Sequence, residues 1–123
     1  MTNVEMRGQI DRALGAHGAW KLRLKTAIRT GRIDARPADV ACDNLCEFGK
    51  WLHGPQIDQQ TRSGMPYQVV RRLHAEFHRC AGQTLKEAAA GNKELAQNLL
   101  EGEFTQRSET LGRALAKWRR EVA

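Results

Sequence analysis

The 123-residue sequence lacks most of the features that mark membrane, secreted or β-rich proteins. It contains no apolar run near the ~20 residues that a membrane-spanning helix needs, and its first residues lack the hydrophobic stretch of a signal peptide. It has only three cysteines, an odd number that disfavours a disulfide framework. No run of β-branched or aromatic residues alternates with period two. We therefore expect a cytoplasmic, all-α protein whose cysteines are reduced.

The charge is positive but discriminates little between functions. Twenty Lys and Arg residues against fourteen Asp and Glu residues give a net charge of +6, and the basic residues are interleaved with glutamate along the chain. A basic helical nucleic-acid-binding protein or an adaptor protein is therefore kept as the alternative function. A solvated basic surface is the favoured interpretation, so no nucleic acid partner is expected. The length predicts a single domain over residues 1–123.

Proline, glycine and asparagine divide the chain into four segments with helical periodicity. The segments begin at Thr2, Pro37, Pro66 and Asn92. The first opens with a capping box, the second ends at Gly54, and the connection over residues 56–65 has room for one helical turn. The predicted fold is an antiparallel four-helix bundle with a short extra helical turn between the second and third long helices.

Apolar residues recur at three-four spacing in the last two segments. In the third segment this face consists of Val70, Leu73, Phe77, Ala81, Leu85 and Ala88. In the fourth segment it runs from Leu100 to Val122, and a break is expected at Gly102 near its start. Trp118 lies on this stripe, where it would serve either the core of the bundle or a dimer interface.

Two histidines of the third segment, His74 and His78, are four residues apart. This spacing places both imidazoles on one helix face, one turn apart, where they can converge on a single ion. A zinc-protease helix has a glutamate directly after its first histidine, and Ala75 occupies that position here. The Glu-x-x-His pairs of di-iron bundles are also missing. No enzymatic activity is expected, and the pair is interpreted as either metal-binding or a surface pair.

His17 and Cys46 lie in the first and second segments, the cysteine one predicted turn beyond Cys42. The separations from His17 to Cys46 and from Cys46 to His74 are each about the length of one helix plus a loop. Together with the pair they would supply three imidazoles and one thiolate, a donor set suited to tetrahedral Zn²⁺. A hydrogen-bonded core histidine and a small buried cysteine are the alternatives.

Three short motifs resemble those of the chemoreceptor zinc-binding (CZB) domain family. Residues 46–52 read CEFGKWL, which resembles the family's C-x-F/L-G-x-W-L motif. Residues 17–22 read HGAWKL and are similar to its H-x-x-W-K element. Residues 73–78 read LHAEFH and are similar to its paired-histidine element, H-x-x-x-H. The three occur in the family's order, and the resemblance extends over essentially the whole chain.

The resemblance implies a zinc site whose ligands are His17, Cys46, His74 and His78. It also implies a cytoplasmic regulatory domain, usually a homodimer, that acts in bacterial chemotaxis or cyclic-di-GMP signalling. The signal would be zinc itself or an oxidant such as hypochlorous acid, which would act on the zinc-bound thiolate of Cys46. Because no effector domain is recognised in the sequence, a separate effector of the chemoreceptor or diguanylate cyclase type is the expected partner.

The residues around the expected ligands are assigned to packing or left without a role. The packing residues are Trp20, Gly49 and Trp51, and the missing side chain of Gly49 leaves room for a neighbouring helix or an oxidant. The rival ligands are Cys42 and His53, which lie outside the motifs. Cys80 is expected to point away from the histidine pair.

Overall fold

The computed structural model describes residues 1–122, and every regular element in that range is helical. The α-helices are α1 (Asn3–Gly18), α2 (Trp20–Thr30), α3 (Pro37–Val40), α4 (Glu47–Leu52), α5 (Gln59–Ser63), α6 (Met65–Ala89), α7 (Lys93–Leu99) and α8 (Thr105–Glu121). A π-helical turn (Leu100–Phe104) joins the last two. The all-α prediction is confirmed. Within residues 1–122, no helix combines the length and apolarity that crossing a membrane requires.

The first predicted helix is divided into α1 and α2. At its start the expected capping box is present, because the Glu5 backbone N–H donates to Thr2 Oγ1 and the Thr2 backbone N–H donates to Glu5 Oε2. Ala19 separates the two helices but keeps helical backbone angles (φ −73°, ψ −16°). His17 therefore lies in the last turn of α1, and Trp20 begins α2.

The prediction of a continuous second helix was wrong. Pro37 begins a helix as expected, but that helix ends at Val40, and residues 41–46 form turns before α4. Cys46 is consequently the N-cap of α4, with extended backbone angles (φ −75°, ψ 162°), and does not lie within a helix one turn after Cys42. Its sulfur accepts a hydrogen bond from the Gly49 backbone N–H at 3.3 Å, which satisfies one of the free amides at the start of α4.

Two close backbone approaches explain why the chain turns here. A Cβ atom at Gly49 would lie 1.8 Å from the Asp43 carbonyl oxygen. A Cβ atom at Gly82, on α6, would lie 2.7 Å from the Cβ atom of Ala41. The turn segment, residues 41–46, therefore packs closely against Gly49 of α4 and Gly82 of α6. These contacts bring residues 41–46 close to the face of α6 that carries the histidines.

The long helix α6 is central to the fold and contacts α2, α3, α5, α7 and α8. Its predicted apolar face is confirmed, since all six of the predicted residues are buried. The extra helical turn expected between residues 56 and 65 is present as α5, which is capped by the Asp58 carboxylate. The predicted order of elements along the second half of the chain is thus correct.

The last predicted helix contains a π-helical turn around Gly102, where the sequence indicated a break. The Thr105 hydroxyl donates to the Leu100 carbonyl at 2.7 Å and so satisfies an acceptor within this turn. Trp118 is 4% exposed and packs against Trp51, with ring centroids 5.7 Å apart. It therefore belongs to the core of this chain and not to an external interface.

Candidate metal centre

Four side chains from three separate parts of the chain meet inside the fold. His17 comes from the end of α1, Cys46 from the N-cap of α4, and His74 and His78 from one face of α6. One nitrogen or sulfur atom from each lies within 4.8 Å of the corresponding atoms of the other three. The histidines are at most 5% exposed, whereas Cys46 is partly exposed. The structure thus brings together the four residues singled out in the sequence.

Five of the six distances between these atoms are close to those of a tetrahedral site. His17 Nε2 lies 3.0 Å from His74 Nε2 and 3.2 Å from His78 Nε2. Cys46 Sγ lies 3.8, 3.4 and 3.5 Å from the Nε2 atoms of His17, His74 and His78. Ordinary zinc–ligand bond lengths in a regular tetrahedron give about 3.3 Å between nitrogens and about 3.6 Å between sulfur and nitrogen. The spacing therefore fits Zn²⁺ closely.

Backbone carbonyls orient two of the three imidazoles. His17 Nδ1 donates to the Ala13 carbonyl at 2.8 Å, and His78 Nδ1 donates to the Val40 carbonyl at 2.9 Å. With the proton on Nδ1, each ring directs an unprotonated Nε2 into the cluster, as a metal ligand requires. Two nitrogen lone pairs then face each other at 3.2 Å. A cation between them removes the repulsion that this arrangement otherwise carries.

Packing, and not a backbone carbonyl at Nδ1, orients the third imidazole, that of His74. Among residues 1–122, no partner lies within hydrogen-bonding reach of the buried Nδ1 of His74. The Phe48 ring packs edge-on against His74 at 5.2 Å and against His17 at 6.0 Å. Phe77, on α6, also packs edge-on against His17, with ring centroids 5.2 Å apart. The site therefore has an aromatic surround that contributes to the burial of the histidines.

Burial keeps all four groups in their neutral forms in the absence of a metal. It lowers the pKa of His17 to about 4 and that of His74 to about 2, and it also lowers the pKa of His78. Burial raises the pKa of the Cys46 thiol, against the lowering effect of the Gly49 N–H. Neutral imidazoles are ready to bind a metal, whereas the thiol must give up its proton when it does so.

Acidification from pH 7 to pH 5 is expected to destabilise the metal-free protein. In the unfolded chain His17 and His74 take up protons near pH 6.5, but in the folded protein they stay neutral down to the lower pKa values given above. The unfolded state therefore binds more protons below pH 6.5, and the free energy of unfolding falls as the pH falls. Each of the two contributes about 2 kcal/mol between pH 6.5 and pH 5.

Urea denaturation of chelator-treated protein at a series of pH values measures this effect. His17→Gln removes one of the histidines whose pKa is lowered by burial and is expected to reduce the slope of stability against pH. A free energy of unfolding that is constant between pH 7 and pH 5 would contradict the expectation.

The three residues expected to pack around the centre lie at different distances from it. Gly49 is in direct contact through its N–H to the Cys46 sulfur. Trp20 lines a small cavity shared with His17 and Cys46, and the Arg23 guanidinium stacks on its ring at 3.6 Å. Trp51 lies one side chain farther out, since it packs on Phe48 at 5.6 Å and on Trp118. Residues 20 and 49 are therefore adjacent to the cluster, and residue 51 supports it indirectly.

The remaining cysteines and histidine lie outside the cluster. The Cys42 thiol is exposed and donates to the Ala38 carbonyl at 3.3 Å. His53 Nε2 pairs with the Asp43 carboxylate at 3.0 Å. Cys80 is buried on another part of α6, and burial raises the pKa of its thiol to about 11, which makes it a poor nucleophile.

Sequence reasoning missed the two carbonyls that orient the ligands and the aromatic contacts of Phe48 and Phe77. The Ala13 carbonyl was accessible to prediction, because it is one helical turn before His17. The Val40 carbonyl was not, because its position depends on the end of α3 and the turn that follows. The role of Phe48 follows from the cap at Cys46, which places it in the first turn of α4.

Comparison with curated proteins and with solved structures gives no significant match. A model of the family described as the chemoreceptor zinc-binding domain matches residues 17–85. The matched region begins at the first histidine of the cluster and includes the other three residues, and it covers more than half of the chain. The helices α7 and α8 lie beyond it. This chain belongs to the chemoreceptor zinc-binding domain family.

Proposed function

We propose that this chain is a regulatory module that binds one Zn²⁺ ion and senses oxidants through the cysteine that binds it. The ion would be held by His17 Nε2, Cys46 Sγ, His74 Nε2 and His78 Nε2. The observation that supports this most strongly is the convergence of these four atoms at tetrahedral separations. Family membership supports the choice of zinc.

A donor set of three imidazoles and one thiolate suits zinc better than calcium or magnesium, which prefer oxygen ligands. Four protein ligands also complete the tetrahedron, so no coordination position is left for a reactive water molecule. This favours a structural or sensory role over hydrolysis. It agrees with the character of the family, which is regulatory and not catalytic.

The oxidant step would take place at the sulfur. Bound zinc keeps Cys46 as a thiolate, the form of cysteine that oxidants attack. Hypochlorous acid would convert this thiolate to a sulfenic acid and release chloride, so that sulfur loses two electrons and chlorine gains them. The partial exposure of Cys46, in contrast to the buried histidines, gives the oxidant access to this one ligand.

Loss of the sulfur as a ligand would weaken zinc binding and release the turn segment from α6. From there a chain of ring contacts leads through Phe48 and Trp51 to Trp118 on α8. We propose that the output passes to a signalling effector of the chemoreceptor or diguanylate cyclase type. The homodimer implied by the resemblance stays a prediction, which sedimentation of the zinc-loaded protein tests.

An equimolar amount of hypochlorous acid is expected to release zinc from a Cys42→Ser, Cys80→Ser double variant. In this variant Cys46 is the sole thiol, so every thiol modification belongs to it. Zinc release is followed with a chromophoric chelator, and the sulfenic acid is trapped with dimedone and located by mass spectrometry. The expected result is that both signals rise together.

Two outcomes would contradict the proposed oxidant sensing. Zinc release without modification of Cys46 would assign the effect to another residue. Modification of Cys46 with full retention of zinc would show that the sulfur is not a required ligand.

A further inference from the structure

A small cavity next to Cys46 connects the cluster with the surface. Its volume is about 60 Å³, enough for a few water molecules. The inner wall includes His17 and Cys46, and the outer residues include Arg12 on α1 and Glu47 at the start of α4. Of the four cluster residues, His17 and Cys46 line this cavity, and Cys46 is the one that is partly exposed.

An ion pair between two helices borders this cavity. Arg12 Nε lies 3.4 Å from the Glu47 carboxylate, and the two side chains are 58% and 73% exposed. Exposed pairs of this kind contribute ~0–1 kcal/mol, so this one opens readily. When it opens, a guanidinium with several N–H donors faces the approach to the sulfur, and a small anion can take the place of the carboxylate.

We infer that this cavity is the path by which small electrophiles reach Cys46 Sγ, and that Arg12 makes it selective for anionic ones. Glu47 acts as an internal competitor, since it occupies the guanidinium that an incoming anion would use. Arg12 and Glu47 are thus specificity-determining residues for the reaction at the cysteine. The inference rests on the proposed role of Cys46 as the reactive ligand. Neutral hypochlorous acid can also use this path, but Arg12 favours small anionic oxidants and alkylating agents.

Iodoacetate and iodoacetamide test this inference, because they differ in charge and are nearly equal in size. Each reacts with the thiolate in the same way: a carbon–sulfur bond forms, the carbon–iodine bond breaks, and iodide leaves with the electron pair. The measured quantity is the ratio of the two rates at Cys46 in zinc-loaded protein, located by fragmentation mass spectrometry. Cys42, which is exposed and does not line the cavity, provides an internal reference.

Arg12→Gln is expected to lower the iodoacetate-to-iodoacetamide ratio at Cys46 by about two- to five-fold, the effect of losing one exposed charge contact. Glu47→Gln is expected to raise the same ratio, because it frees the guanidinium. Arg113→Gln on α8 removes the same charge outside the cavity and is expected to leave the ratio unchanged. None of these variants should alter the ratio at Cys42. All three residues are exposed, so the fold should persist in each variant.

An unchanged ratio in Arg12→Gln would overturn the selectivity. An equal change in Arg113→Gln would also overturn it, because the effect would then come from the net charge of the protein and not from the position of Arg12. A bulky iodoacetamide derivative that modifies Cys46 as fast as Cys42 would overturn the cavity as the path. These reagents are not oxidants, so the test is independent of zinc release by hypochlorous acid. A shifted ratio without oxidant-driven zinc release would refute the sensing function and leave the path intact.

Discussion

His74→Ala is expected to abolish stable zinc binding in a protein that otherwise carries about one zinc ion per chain. His74 is completely buried, and its Nε2 atom lies within 3.4 Å of both the Cys46 sulfur and the His17 nitrogen. Alanine removes one of four ligands and leaves a space that no other donor in the cluster can fill. We expect the affinity to fall by at least about 100-fold, in line with the large binding energies of structural zinc sites.

Native mass spectrometry of protein purified without chelators gives the number of ions per chain, and competition with a chromophoric chelator gives the affinity. His53→Ala is the matched control, because this histidine lies outside the cluster and pairs with Asp43. It should keep its zinc. Absence of zinc from the unaltered protein, or equal loss in the two variants, would refute the assignment of the ligands.

Gly49→Ala is expected to have the second large effect, although residue 49 is not among the four ligands of the proposed zinc site. Its added methyl group would meet the carbonyl oxygen of Asp43 at 1.8 Å, a separation that no pair of atoms can keep. Because the obstacle is backbone, relief requires the turn segment to move away from α4. We expect a loss of about 3 kcal/mol in the free energy of unfolding, at the upper end for an overpacked core position.

The same displacement should weaken zinc binding, since the Gly49 N–H and the turn together set the position of the Cys46 sulfur. Urea denaturation and zinc competition measure the two effects. Gly15→Ala is the control, because a Cβ atom at that position in α1 has no neighbour within 4 Å. It should stabilise the protein by up to about 1 kcal/mol. If Gly49→Ala behaves like Gly15→Ala, the close approach does not constrain the site.

The parts of the fold that sequence reasoning found are those governed by local pattern. The apolar stripe of α6 repeats over several turns, and the capping box at Thr2 involves residues only three apart. The pair His74 and His78 belongs to the same class, since one helix sets its geometry. Position 17 required the additional information of the family motif, because a histidine on an apolar stripe is compatible with an ordinary core.

The parts of the fold that sequence reasoning missed depend on contacts between residues far apart in the chain. The second segment, which begins at Pro37 and ends at Gly54, reads as one helix because its composition is helical. The interruption arises where Ala41 meets Gly82, 41 positions later in the chain. Whether Trp118 faced a core or a partner was likewise undecidable from spacing, and burial against Trp51 and Tyr67 settles it.

Because Cys46 is the N-cap of α4, a chemical change at its sulfur would alter the order of this helix. Helix α4 has only six residues, far fewer than the ~12–15 at which an isolated helix becomes even marginally stable. Its order therefore depends on what holds its ends. One sulfur atom both holds the N-terminal end against the buried histidines and accepts a hydrogen bond from the Gly49 N–H, one of the free amides at that end. A change at that atom would remove both restraints at once, so the rate of hydrogen exchange at the Gly49 amide would report the chemical state of the sulfur.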